Sequence, residues 1–191
     1  MGILLAFVPF IVFAVVDSLV GGTAALVAGG VASAALLIRD LMLLRRTPKV
    51  LEIGTTILFA GLALYAVIAG PAWSVFGVRL RVDIGLLLIV LVSLAIRRPF
   101  TLQYAREQVA PEHWGNPAFI RANYVITAVW ALAFGVLVGS DLLIVYVPGL
   151  PPAFGIAATV VALVVAVKFP GWYRERMRAR AAGSEVARAT D

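Results

Sequence analysis

The chain has 191 residues, of which 62% are hydrophobic and 14% charged, with a formal net charge of +6 and no cysteine. A soluble domain is usually about 45–50% apolar and about 25% charged, so the apolar excess points to a lipid-facing surface. The missing thiols exclude disulfides, thiolate metal sites and cysteine nucleophiles, and the single histidine, His113, excludes a multi-histidine metal or haem site within one subunit.

A helix needs about 20 apolar residues to cross a bilayer, and in lipid it satisfies its own backbone hydrogen bonds. On that basis the chain is expected to be all-α, a polytopic bundle of six spans. The first, about 3–20, carries Pro9 and, near its end, Asp17. No Lys or Arg precedes it, so it reads as a span rather than a signal peptide. Gly21-Gly22 makes a tight turn into the second span, about 21–38, which is rich in Gly and Ala and so suited to close helix packing. A polar connector, Arg39 to Lys49, leads to the third span, about 53–72, with Trp73 at its interfacial end. The fourth, about 77–96, reaches a crossing length only by including Arg79, Arg81 and Asp83, whose arginine stems are expected to snorkel toward water. The fifth, about 117–140, starts with Asn116 as N-cap and Pro117 as first helical residue. The sixth, about 153–169, is expected to end at Pro170-Gly171. This gives one transmembrane domain over 1–172 and a basic tail over 173–191.

Six spans place both termini on one side of the membrane. On this layout fourteen of the sixteen Lys and Arg residues fall on the terminal side, and only Arg79 and Arg81 on the other. The positive-inside rule then predicts an N-in, C-in topology.

The longest polar interruption, Arg97 to Arg121, reads as a cytoplasmic loop. A short helix from Pro99 to about Val109 would place Phe100 and Tyr104 one turn apart beside an apolar stripe. Arg97 and Arg98 would anchor it to the headgroups, and Arg106, a further docking candidate, shares a polar stripe with Gln103 and Glu107. It is either a docking surface for another membrane protein or a membrane-seated connector. Arg174, Arg176, Arg178 and Arg180 of the tail offer the same choice, with anionic lipid of the cytoplasmic leaflet as the simpler partner. Nucleic acid is not expected, because no aromatic-interleaved basic platform accompanies these arginines. Glu112 and His113 are adjacent, but no nucleophile accompanies them, so an enzyme is not expected.

Asp17, Arg79, Asp83 and Asp141 all fall toward the outer ends of their spans, with Arg79 and Asp83 four apart on one helix face. They form either a structural ion pair or a polar vestibule for a cation or proton. Asn123, Thr127 and Trp130 line one face of the fifth span and are expected to hydrogen-bond between helices. Small residues in the second and third spans favour intramolecular packing over a homo-oligomer, which stays possible.

In order along the chain, FVPFIVFAVVDSLVG, TTILFAGLALY, RRPFTLQYARE and RANYVITAVWALAFGVLVG together resemble the intracellular septation protein A family of small bacterial inner-membrane proteins. The resemblance implies a non-enzymatic inner-membrane protein of cell-envelope maintenance and septation. It would act through other envelope or division membrane proteins, with no catalytic residues and no cofactor. The alternative is a small transporter or channel using the outer Asp/Arg cluster.

Overall fold

The computed structural model describes residues 5–147 and 149–189, except for the side chains of 178 and 180–189. Among these the chain forms seven α-helices and no strand. Helix α1 spans Val8–Leu19, α2 Gly22–Ile38, α3 Val50–Ala69, α4 Val75–Ala95, α5 Phe100–Arg106, α6 Pro117–Tyr146 and α7 Pro152–Ala189.

Four helical segments are long and apolar enough to cross a membrane: Gly22–Leu43, Val50–Ala69, Pro117–Tyr146 and Pro152–Met177. This is a membrane protein. Helix α1, with 12 residues, is shorter, about 18 Å at 1.5 Å per residue.

Local chemistry sets most boundaries. Gly21 turns the chain between α1 and α2 with φ 120°, a conformation costly for residues with a Cβ. Helix α2 runs on as a π-helical turn over Arg39–Leu43, so the first half of the expected connector is helical. At the start of α3 the Glu52 carboxylate accepts a hydrogen bond from the Lys49 backbone N–H at 3.1 Å, which fixes the helix three residues earlier than expected. Gly70, with φ 52°, closes α3 in the left-handed region. Ser74 caps α4, its hydroxyl accepting from Gly77 N at 3.1 Å. Asn116 caps α6, its side-chain oxygen accepting from Ala118 N at 2.9 Å, with Pro117 in the first turn.

Two elements run longer than expected. Helix α6 continues past Ser140 to Tyr146, which places Asp141 inside it. Helix α7 does not end at Pro170-Gly171 but passes through Pro170. A proline in a helix interior forfeits one backbone bond and costs about 3 kcal/mol. The following Arg, Glu and Ala residues are strong helix formers and carry the helix on.

Helices α1, α2, α3 and α4 pack successively, then α4 packs on α6 and α6 on α7. Helix α4 is thus the hinge of the bundle, shared by both halves. Its charged first half is continuous with the apolar second half, and it buries Val78, Leu80, Val82, Asp83, Leu86 and Val90. One apolar core joins Leu86 and Val90 of α4 to Phe100, Trp130, Phe134 and Ala166. A second joins Phe13, Leu26, Phe59 and Val82 across α1–α4.

Candidate functional site

Two polar clusters interrupt these cores. The first is built on α4. Arg79 and Asp83 are one turn apart, and α6 brings Asp141 to the same point. Arg79 Nε lies 3.6 Å from Asp141 Oδ1 and 3.9 Å from Asp83 Oδ2. Arg79 Nη2 donates to Thr159 Oγ1 of α7 at 2.8 Å. The sequence had no means of adding Thr159, which is 80 residues away. Asp141 is 1% exposed and Asp83 8%. Neither Asp83 Oδ2 nor either oxygen of Asp141 has a hydrogen-bond partner, and Asp17 Oδ1 has none either. Burying a carboxylate without hydrogen bonds is expensive unless a counter-charge is near. Here two acids share one guanidinium.

A cleft of about 410 Å³ leads to this cluster. Asp17, Arg79, Asp83 and Thr159 border it, with Phe7, Phe10 and Phe134 among its apolar walls. Asp17 therefore faces the same space as Arg79 and Asp83, without an ion pair of its own among the described residues. This volume suits a small ligand. A negative charge held away from water, at the base of an accessible cleft, attracts a cation. Among the described residues no three ligating side chains converge as a metal site.

The second cluster was not legible in the sequence. Lys49, 5% exposed, sits among acids from three segments. Its Nζ lies 3.0 Å from Glu107, 3.1 Å from Glu52 and 3.9 Å from Asp40. Tyr104 donates its hydroxyl hydrogen to Glu52 at 3.2 Å, and its ring lies 4.8 Å from the Lys49 ammonium. Arg39 pairs with Asp40 at 2.6 Å and Arg46 with Glu107 at 3.7 Å. Burial alone would push the Lys49 ammonium down. The Glu107 and Glu52 carboxylates outweigh it and hold Lys49 above its ordinary value. Burial, then the charge of Glu52, pushes the Tyr104 phenol up. Three acids meet three bases here, and each acid has a partner. The cluster ties the α2–α3 connector to α5 and the loop that follows it. The three-residue Lys49/Glu52 spacing is the one local signal the sequence carries for it, and Glu107 comes from a distant loop.

The remaining candidates divide. Arg97 and Arg98 are exposed, as are Arg174 and Arg176. Arg106 lies over the Trp114 ring at 5.6 Å, and Arg176 over Trp172 at 5.2 Å. The side chains of Arg178 and Arg180 lie outside the described residues. Phe100 and Tyr104 are not part of an exposed docking face: they are 0% and 2% exposed, because α5 folds into the bundle against α6. Thr127 does bond between helices, its hydroxyl 2.7 Å from that of Thr101. Asn123 bonds between helices only through its backbone carbonyl, which accepts from Thr101 Oγ1 at 2.9 Å. Its side-chain amide donates within its own helix to Phe119 O. Trp130 makes no hydrogen bond through Nε1. It stacks on Phe7 with ring centroids 5.0 Å apart, so its role is apolar packing. Glu112 and His113 are exposed and 4.0 Å apart, with nothing converging on them.

Fold and site together define an all-helical membrane protein with an acid–arginine cluster buried between its helices. No family model, curated protein or solved structure matches the chain. The septation-family resemblance therefore stands on the sequence segments alone.

Proposed function

We propose that the protein is a small multi-pass transporter of the bacterial inner membrane. Asp83 and Asp141, balanced by Arg79, would take up a proton or small cation from the cleft that Asp17 borders. The observation that carries this reading is the excess of carboxylate over guanidinium at the end of that cleft. The layout that goes with it has six spans and both termini in the cytoplasm. The one-sided distribution of Lys and Arg supports that layout, which puts the mouth of the cleft toward the outside. The reading is non-enzymatic.

Purified protein in liposomes with an imposed pH or cation gradient tests it. Flux is expected for the native chain and a loss of tenfold or more for Asp83→Asn and Asp141→Asn, with the helical signal retained. Flux no greater than in empty liposomes sinks the proposal, as does flux that both variants leave unchanged.

A second reading follows from the sequence resemblance: a scaffold of envelope maintenance and septation acting through membrane partners. It has fewer side chains to work with than the sequence suggested, since Phe100 and Tyr104 are buried. The exposed Arg97, Arg98, Arg174 and Arg176 support it. Crosslinking in cells to division or elongation proteins, lost on neutralising these arginines, is its expected signature. Failure to recover any envelope partner under gentle solubilisation counts against it.

A further inference from the structure

Helices α6 and α7 pack along their length, yet one side of their seam is hollowed. Toward the start of α6 a hollow of about 710 Å³ lies between Arg121, Ala122 and Val125 of α6 and Tyr173, Arg174 and Met177 of α7. Farther along, a groove of about 500 Å³ lies between Val129, Ala133 and Val136 of α6 and Ala158, Val161 and Val165 of α7. The α6 residues recur every three or four positions, so both hollows open along one stripe of α6. On α7 the lining turns by about a third of a turn between Val161 and Tyr173, on either side of Pro170.

The two ends differ in chemistry. At the first, Arg121 is exposed and has no hydrogen bond or ion pair among the described residues. Arg174 uses only Nε, donating to Pro170 O at 3.0 Å, so its terminal N–H groups are left over. Tyr173 lines the same hollow, and among the described residues no carboxylate borders it. The second end is entirely apolar, with alanines as its floor and exposed Leu132 and Val161 on its rims. From Val129 to Val136 the groove runs for seven residues, about 10 Å at 1.5 Å per residue. Half of a hydrocarbon core of about 30 Å is about 15 Å. Basic head and apolar tail thus follow the order of one leaflet, and the groove covers about two thirds of its depth.

We propose that the α6–α7 seam is a binding site for one anionic phospholipid. The phosphate sits between Arg121 and Arg174, and an acyl chain lies along the alanine-floored groove. Two guanidiniums without a carboxylate select a negative headgroup over a zwitterionic one. A helix from a second copy fits less well. It is about 10–12 Å wide, and an apolar one would leave both guanidiniums without a counter-charge. This site shares no residue with the acid–arginine cluster, so the two proposals stand or fall separately.

Native mass spectrometry in detergent, with phosphatidylglycerol and phosphatidylcholine added in equal amounts, tests the site. One phosphatidylglycerol is expected to stay bound per chain, in preference to phosphatidylcholine. Arg121→Gln and Arg174→Gln should each lower retention about fivefold, the factor that corresponds to one basic residue at a membrane surface. Ala158→Phe fills the tail groove and should lower retention with both guanidiniums intact. Equal retention of the two lipids overturns the proposal, as does undiminished phosphatidylglycerol binding by the double Arg variant. Crosslinking of two copies across the seam also overturns it. If Ala158→Phe loses its helical signal, the double Arg variant decides alone, because Arg121 is exposed and the Arg174 terminal groups are unengaged.

Discussion

Lys49 shows how a single side chain joins two distant segments. Its ammonium is buried with carboxylates from the π-helical turn, the start of α3 and the loop after α5. Removing one partner of such a group leaves the others uncompensated, and Lys49→Met should cost about 3 kcal/mol, the low end for a buried pair. The pH dependence has a definite sign. Lys49 and Tyr104 both hold their protons more tightly when folded than their ordinary values of 10.5 and 10.0 imply. Their contribution is full below about pH 10 and is lost as pH rises above it, where the folded state binds more protons than the unfolded one. The thermal midpoint of the detergent-solubilised protein should therefore be flat toward pH 10 from below and fall beyond it. The fall should be shallower in Lys49→Met and Tyr104→Phe. An alkaline limb identical in all three proteins would remove these groups as its cause.

At the scale of helices, small residues decide how close neighbours come. A Cβ added at Gly29 of α2 would meet Phe59 Cε1 of α3 at 2.7 Å. The Phe59 ring is fully buried and in contact with Phe10 and Phe13, so it has nowhere to go. Gly29→Val should lower stability by about 1–3 kcal/mol, the range for overpacking a filled core. Chemical unfolding in mixed micelles measures this, and a change below about 0.5 kcal/mol would mean that the two helices separate at little cost. Helix starts were legible where a cap is local. Asn116-Pro117 marked the start of α6 and Gly21-Gly22 the α1–α2 turn. Helix ends were not. Asp141 and Pro170 look like stop signals in sequence, yet both lie inside helices. Asp141 is tolerated because Arg79 faces it from α4, and that contact is invisible from α6 alone.

For the whole molecule, orientation is the largest claim, and the absence of cysteine makes it simple to test. Arg98→Cys and Arg176→Cys should resist a membrane-impermeant maleimide in intact cells and react after permeabilisation. Ala72→Cys, at an exposed position before α4, should react in both. The opposite pattern would place the acid cluster on the cytoplasmic side and reverse the direction from which its cleft fills.

Composition and hydropathy, read along the chain, already specified a helical membrane protein and the approximate course of its long helices. Those properties follow from composition and from hydropathy summed over consecutive residues. Which further groups join the charges of the two clusters came from helix packing. It set Thr159 on Arg79, drew Glu107 to Lys49, and turned Phe100, Tyr104 and Trp130 inward. The physical reason is that an ion pair or an aromatic stack acts over a few ångströms in space, and helix packing brings together groups dozens of positions apart in the chain.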